Sequence, residues 1–326
     1  MSALSLSRLA LRHPRWLDAG IRLDRVRPAA WLAAQALALG PAWLWMGRRL
    51  ADGSDDPLGL LALATLAVLA WQQRRALRAA PRLGWLALAG VATVLATVLR
   101  TGLGAMPPWP ALLASLLAVL ALASGLLAFL PRSRAGEAGP ASGVAALPVL
   151  GLAVLALPLL SSLQFYAGFP LRLLTAELSA WLLSPFFTVA REGASLWIAG
   201  RLVIVDAPCS GVQMAWLGYF TAGVAALFAS RCSSRTFLAR LPAVGMLVLA
   251  GNVLRNALLV GAEGAGRGLP PWAHEALGLG VLALVCGGIA LFMARPARGA
   301  RRASADPAPV AARITTSGAR HVDTLA

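Results

Sequence analysis

Residues 202–211 have the sequence Leu-Val-Ile-Val-Asp-Ala-Pro-Cys-Ser-Gly, and the prediction of the fold is organised around this stretch. A hydrophobic run stops at Asp206. Pro208 then suits the first position of a new helix, where its missing N–H costs no hydrogen bond. Cys209 would lie in the first turn of that helix, where the positive end of the helix dipole favours the thiolate over the thiol. A single cysteine is more often a small buried packing residue, so the function of Cys209 depends on its surroundings.

The rest of the chain has the composition of a membrane protein. Of its 326 residues, 59% are hydrophobic and 13% are charged, and the mean hydropathy is +0.73. A soluble domain has about a quarter of its residues charged. The net charge of +16 comes from arginine, since the chain contains no lysine. In a membrane protein such an excess indicates topology and contact with anionic membrane lipids, and we predict no nucleic-acid partner.

Eight apolar windows are long enough to cross a hydrocarbon core of ~30 Å. They lie at residues 29–47, 57–73, 84–103, 109–130, 144–163, 209–229, 241–261 and 273–294. Most arginines fall in alternate connections, at residues 8–27, 74–82, 132–134, 231–240 and 295–320. By the positive-inside rule these connections and both termini are cytoplasmic. We therefore predict an all-α polytopic membrane protein with about eight transmembrane helices.

The long connection between the fifth and sixth windows is then on the outer face. Within it, residues 169–187 mix apolar and charged positions, which is typical of an interfacial or re-entrant helix, and Pro185 would end that helix. Residues 195–198 and 201–205 flank Ala199-Gly200, a pattern that predicts a small β-hairpin. Open backbone of this kind cannot sit in lipid, so we expect it to cover the outer mouth of the bundle.

The predicted elements divide the chain into four regions. Residues 1–28 form an Arg-rich cytoplasmic N-terminus, and residues 29–143 form an N-terminal transmembrane bundle of four helices. Residues 144–294 contain four further helices and the outer loop. Residues 295–326, rich in Ala, Pro, Arg and Ser, have the composition of a disordered cytoplasmic tail.

Three consecutive predicted helices each bring one reactive side chain to the outer side. These are Cys209 at the start of the sixth, Arg255 in the outer half of the seventh and His274 in the first turn of the eighth. Asn252 shares a helix face with Arg255, three residues away, and Gln213 lies one turn after Cys209. A thiolate can attack a peptide carbonyl, an imidazole can move the proton, and a guanidinium can stabilise the oxyanion. The set therefore favours acyl transfer through a thioester.

Each of these residues also has a simpler explanation. Arg255, at a cost of about 2.5–3.5 kcal/mol within a span, could snorkel to the headgroups, and His274 could be an ordinary interfacial residue. Ser210 is a competing nucleophile, but the sequence lacks G-x-S-x-G. Cys232 and Cys286 are expected to be packing residues. No His-Glu-x-x-His or comparable set is present, so we predict neither a metal site nor a cofactor.

Four pieces of sequence resemble the exosortase/archaeosortase family of membrane cysteine transpeptidases. The pieces are Gln164-Phe-Tyr-Ala-Gly-Phe-Pro-Leu-Arg172, Ala207-Pro-Cys-Ser-Gly211, Asn252-Val-Leu-Arg255 and Trp272-Ala-His274. They span roughly residues 145–291, so residues 144–294 would be the catalytic core. The resemblance implies that Cys209 is the nucleophile, with Arg255 and His274 as its catalytic partners. Supporting or substrate-binding roles would fall to Asn252, Gln213 and Arg172.

The resemblance also implies a substrate and a location. The substrates would be secreted proteins anchored by a C-terminal sorting tail, which combines a short motif, one transmembrane helix and a basic cluster. A histidine at the third catalytic position favours the bacterial branch, where the motif is typically Pro-Glu-Pro (PEP-CTERM type) and the surface acceptor is often linked to exopolysaccharide. The enzyme would lie in the bacterial inner membrane, with its site facing the periplasm.

The alternative is a protein without enzymatic activity, such as a polytopic component of exopolysaccharide export or transport. Arg255 would then pair with an acidic substrate. Transport requires polar residues along a path through the bilayer, whereas the predicted spans are nearly free of charge except at their outer ends. The two functions separate at Cys209, because replacing it should abolish tail processing but need not impair a transporter.

Overall fold

The computed structural model describes residues 27–53, 57–77, 80–102, 108–131, 144–204, 210–229, 232–266 and 270–295. The predicted N-terminal segment (1–28, apart from its last two residues) and the tail after Arg295 lie outside these residues. The described chain is helical apart from one small sheet. Its helices are α1 (Pro28–Ala38), α2 (Gly40–Ala51), α3 (Gly59–Gln72), α4 (Leu83–Gly102), α5 (Pro108–Phe129), α6 (Ala146–Leu155), α7 (Leu160–Leu183), α8 (Val212–Val224), α9 (Ser234–Gly264) and α10 (Pro271–Ala294).

The prediction of an all-α polytopic membrane protein is confirmed. Five helices within the described residues are each long and apolar enough to cross a membrane. They are α4, α5, α9, α10 and the helix that α8 forms with its π-helical continuation, Ala225–Ala229. The pair α6 and α7 passes the same test as a sixth, bent span. The count of eight stays a prediction, because α3 has only 14 residues and the first window is divided.

The division of the first window has a local cause. Helix α1 ends at Ala38 and α2 begins at Gly40, with Leu39 between them. Pro41 has no N–H to donate, and its ring would clash with the carbonyl four residues earlier in a continuous helix. The backbone N–H groups of Ala42 and Trp43 instead both donate to the carbonyl of Leu39, at 3.0 and 3.3 Å. An apolar window of helical length therefore contains two short helices.

The fifth window, residues 144–163, is also not one straight span. Helix α6 ends at Leu155, and α7 leaves it at an angle of 91° after a short break. Pro158 lies in that break, where it cannot continue the helix. Helix α7 begins well before the predicted interfacial segment and ends at Leu183, two residues before Pro185. The predicted end of that segment agrees with the structure, whereas its predicted start at residue 169 is nine residues too late.

The predicted hairpin is confirmed and has a third strand. Strands β2 (Ser195–Ile198) and β3 (Arg201–Ile204) pair antiparallel, and β1 (Val189–Glu192) pairs with the other edge of β2. Ala199 and Gly200 connect β2 to β3 with φ of 49° and 77°, as a tight turn with two left-handed residues requires. Leu196 and Ile198 are fully buried against α7 and the C-terminal part of α9. The sheet therefore covers one end of the bundle.

Candidate active site

The helix that follows the candidate thiol begins later than predicted. Helix α8 begins at Val212, with Gly211 as its N-cap at φ +85°, so the prediction that Pro208 opens this helix is wrong. The left-handed backbone at Gly211 separates the motif from the helix. Cys209 lies outside the described residues. Because it precedes the first residue of α8 by three positions, it is not in the first turn of this helix, where the helix dipole was predicted to favour its thiolate. The two residues after Cys209 are described, and their contacts show how the end of the motif is held.

Gly211 is required at its position for two independent reasons. Its φ of +85° belongs to a region that only glycine adopts without strain. A Cβ atom placed on Gly211 would also lie 2.8 Å from both Cγ and Nδ2 of Asn252. The backbone after Cys-Ser therefore packs directly on the side chain of a residue from α9. The second and third motifs are in contact here.

Ser210 is anchored to the first motif. Its side chain is buried, at 3% exposure, and its hydroxyl donates a hydrogen bond to Oε1 of Gln164 on α7 at 2.9 Å. The backbone N–H of Val212 points back to the same hydroxyl at 3.4 Å. A hydroxyl enclosed in this way is poorly placed to attack a substrate. The geometry supports a structural role for Ser210 and leaves Cys209 as the candidate nucleophile of the motif.

Two amide side chains join α9 to α7 one helical turn apart. Nδ2 of Asn252 donates to the hydroxyl of Thr175 at 3.0 Å, and Nδ2 of Asn256 donates to the hydroxyl of Ser179 at 3.0 Å. All four side chains are buried, at 4% exposure or less. Interhelical hydrogen bonds of this kind contribute about 0.6–1.7 kcal/mol each in membrane proteins. They fix the height of α7, and with it Gln164, relative to Asn252.

A cavity of about 420 Å³ opens beside this assembly, between the N-terminal parts of α8 and α10 and the C-terminal half of α9. Its volume lies within the range of about 300–1,000 Å³ that small-ligand sites occupy. Polar side chains and apolar side chains both line it. They are Gly211, Gln213, Met214 and Leu217 near α8, Asn252 and Arg255 on α9, and Glu275, Gly278, Leu279 and Leu282 on α10.

Arg255 contributes the positive charge of this cavity. A Cβ placed on Gly278 would lie 3.0 Å from Nε and 3.3 Å from Nη2 of Arg255. The guanidinium thus lies flat on α10 where that helix has no side chain. Asn252 and Arg255 both line the cavity, as their spacing on one face of the helix predicts. A guanidinium held in a partly enclosed site can stabilise a developing oxyanion.

The other predicted site residues are distributed unequally. Gln213 lines the cavity. His274 is exposed and is not among the residues that line it, although it lies one turn before Gly278 on the same face of α10. Arg172 lies outside the cavity, with its guanidinium 5.7 Å from the ring centre of Phe169 on its own helix. The structure therefore brings Asn252, Gln213 and Arg255 together and leaves Arg172 apart.

Several residues of the site were not identified from the sequence. Glu275 lines the same cavity as Arg255, and Thr175 and Ser179 receive the hydrogen bonds from α9. The pairs Thr175/Ser179 and Asn252/Asn256 are each four residues apart. That matching period was a signal that two helices meet through polar faces. Among the described residues, no group of three His, Cys, Asp or Glu side chains is placed to hold a metal ion.

Comparison with known proteins identifies one family. The family model described as Transmembrane exosortase (Exosortase_EpsH) matches residues 50–292, which include α3 to α9, the sheet and almost all of α10. No curated protein and no solved structure matches the chain.

Proposed function

The chain belongs to the transmembrane exosortase family, and from this premise we propose that it is a membrane cysteine protease and transpeptidase. It would cleave the C-terminal sorting tails, of PEP-CTERM type, of membrane-anchored secreted proteins and transfer those proteins to a surface acceptor. An exopolysaccharide is a candidate acceptor. The observation that carries this proposal is the contact of Gly211 with Asn252, one turn from Arg255. It sets the residues after Cys209 against the helix that carries the guanidinium.

The proposed chemistry assigns one step to each group. The Cys209 thiolate attacks the carbonyl carbon of the scissile peptide, and Arg255 stabilises the oxyanion of the tetrahedral intermediate. His274 gives a proton to the leaving amine as the C–N bond breaks, which leaves a thioester on Cys209. A second nucleophile then attacks the thioester and releases the thiol. Asn252, Gln164 and Gly211 hold the segment, and Gln213 contributes a further hydrogen-bond donor at the cavity.

The proposed location follows from the distribution of arginines and the position of the site. The sheet and the cavity lie toward the C-terminal end of α9. Arg235 and Arg240, predicted to be cytoplasmic, lie near the N-terminal end of this helix. By the positive-inside rule this arrangement supports our proposal that both termini are cytoplasmic and that the cavity faces the periplasm from a bacterial inner membrane. A substrate tethered by one helix would reach the cavity by diffusion within the membrane.

The test is co-expression with a PEP-CTERM-tailed protein from the same genome, followed by immunoblotting of the tailed protein. We expect cleavage with the wild type and with Cys286→Ala, a matched control that removes a thiol from α10, and no cleavage with Cys209→Ala. Equal cleavage with Cys209→Ala would overturn the assignment of the nucleophile. If a functional assay of export showed full activity of Cys209→Ala, the transport alternative would be favoured.

A further inference from the structure

The cavity contains a carboxylate that the proposed mechanism does not use. Glu275 is the one acidic residue among the described side chains that line it, and Arg255 is the one basic residue. Neighbouring residues on a helix point about 100° apart. Glu275 shares its face with Gly278, Leu279 and Leu282, at i+3, i+4 and i+7, and all four line the cavity. His274, immediately before it, lies four residues before Gly278 but is not among the lining residues. Of the two titratable side chains in this turn, the Glu275 carboxylate is the one that lines the cavity.

The carboxylate and the guanidinium differ in how they are held. Arg255 lies against the backbone of α10 at Gly278, whereas Glu275 is exposed and lies nearer the start of that helix. Within the described part of the chain, the Glu275 side chain takes part in no ion pair or hydrogen bond. It is therefore available to a molecule that enters the cavity from this rim. In the proposed mechanism Arg255 stabilises the oxyanion at the reacting carbonyl, and Glu275 is available to the nucleophile that approaches this carbonyl.

An enzyme that forms a thioester needs a second nucleophile to release the acyl group. The negative charge of Glu275 at the rim of the cavity favours some chemical classes of nucleophile over others. A carboxylate attracts a cation and repels an anion, by an amount that falls with exposure and salt. An amine is cationic before it reacts. It becomes cationic again in the tetrahedral intermediate that forms when its nitrogen attacks a thioester. Both states are favoured by a neighbouring carboxylate, whereas attack by a neutral alcohol or by water places no such charge on the complex before proton transfer.

We propose that Glu275 selects a primary amine as the acceptor in the second half of the reaction. The amine nitrogen forms a bond to the thioester carbonyl carbon, the C–S bond breaks, and the sulfur leaves as the Cys209 thiolate. The ammonium first loses one proton to solvent, which frees the lone pair that attacks. The second proton passes from the nitrogen of the tetrahedral intermediate to the Glu275 carboxylate and then to solvent. The product is an amide, and no oxidant or reductant is required. This inference rests on the proposed thioester chemistry and adds to it the chemical class of the acceptor.

The experiment measures how the purified full-length protein divides one acyl-enzyme among competing nucleophiles. A tailed substrate peptide is incubated in nanodiscs with ethylenediamine, taurine or glycerol, and products are quantified by mass spectrometry. In the form that attacks, these are a cationic amine, an anionic amine and a neutral alcohol. We expect the wild type to prefer ethylenediamine over taurine and glycerol, and Glu275→Gln to reduce that preference by about tenfold, mainly through KM for the amine. Glu275→Asp should restore part of it. Glu192→Gln removes the same charge from β1 and serves as the matched control.

The outcomes separate the inference from the proposed function. If Glu275→Gln cleaves the peptide and shows the same preference among nucleophiles as the wild type, the assignment of Glu275 is overturned while the thioester mechanism stands. If the wild type forms neither hydrolysis nor transfer products, the proposed function fails, and the inference fails with it. A loss of preference in Glu192→Gln as large as in Glu275→Gln would also overturn it, because the effect would then be one of overall charge.

Discussion

The N-terminal helices α1 to α5 and the C-terminal helices α6 to α10 use polar side chains in opposite ways. In the N-terminal helices most hydroxyl groups bond within their own helix, as Thr93, Thr97 and Ser115 do with the carbonyls four residues earlier. In the C-terminal helices the buried polar groups bridge separate elements, from α7 to α9 and from α7 to the loop before α8. In both regions apolar side chains pack in the core, and in the second region specific polar pairs between elements are added to that packing.

The packing surfaces differ in the same sense. Helices α4 and α5 meet through small side chains that are fully or nearly buried, among them Ala89, Ala96, Ala118 and Ala121, which allow close approach of the two backbones. Gly211 and Gly278 instead lie against polar side-chain atoms. A Cβ added at these positions would lie 2.8 Å from Asn252 and 3.0 Å from Arg255, so the neighbouring side chain would have to shift. Membrane helices have no hydrophobic force that drives them together. The comparison therefore shows which part of the bundle requires one defined arrangement.

The largest difference between the two regions is expected at one arginine from a helix of each region. Arg255→Ala should lower the rate of tail cleavage by about 10²–10³, the usual cost of removing an oxyanion-stabilising group. Arg100→Ala, in α4, should change the rate by less than twofold, because Arg100 lies 6.0 Å from the ring of Trp45 and outside the cavity. Single-turnover cleavage assays on both variants check this. Equal losses would contradict a division of roles between the two regions.

Two glycines with positive φ, Gly211 and Gly53, separate the effect of backbone strain on activity from the effect of the contact with Asn252. Gly211→Ala combines strain of about 1–3 kcal/mol with a clash against Asn252, so we expect at least tenfold loss of activity and lower thermal stability. Gly53→Ala, at φ +72° with nothing within 4 Å, should show strain alone and keep its activity. Thermal unfolding and cleavage are measured for both. Similar activity losses would mean that the contact with Asn252 has no specific role.

A smaller effect is expected from the bridge between α7 and α9. In a double-mutant cycle, Thr175→Val and Asn252→Leu should show a coupling free energy of about 0.6–1.7 kcal/mol. The readout is unfolding in detergent titrated with SDS. Asn256→Leu with Thr175→Val provides the control, since Asn256 bonds Ser179 instead. A coupling near zero for the first pair would show that the 3.0 Å hydrogen bond contributes nothing to the arrangement.

The smallest effect on activity is expected at Gln35, a buried polar side chain of the N-terminal region that bonds to other helices. Gln35 is buried, and its Nε2 donates to the hydroxyl of Thr93 and to the carbonyl of Ala121, at 3.1 and 2.9 Å. Gln35→Leu should therefore cost about 1 kcal/mol of stability while cleavage stays within twofold of the wild type. SDS titration and the cleavage assay measure the two quantities. A large loss of cleavage at unchanged stability would contradict the expectation that the polar groups of the N-terminal helices do not contribute directly to activity.

Local patterns in the sequence predicted those features that depend on neighbouring residues. Ala199-Gly200 between two short, mainly apolar runs predicted the hairpin, and Pro185 predicted the end of α7. The spacing of Asn252 and Arg255 predicted that they share a face. Each of these depends on turn geometry, ring geometry or helical period, which a few adjacent residues determine. The start of α8 was mispredicted because Pro208 is compatible with a first turn, and only the contact of Gly211 with Asn252 explains the left-handed residue before Val212.

The sequence by itself determined that this is a polytopic helical membrane protein and that its polar motifs belong together, because hydropathy and composition act on every segment wherever it packs. Only the tertiary structure decided which side chains meet. It set Gln164 against Ser210 and Arg255 against Gly278, made Glu275 part of the cavity lining, and left Arg172 outside it. These outcomes depend on the rotation and height of each helix relative to its neighbours. Pairwise packing between distant segments sets those quantities, and no local pattern records them.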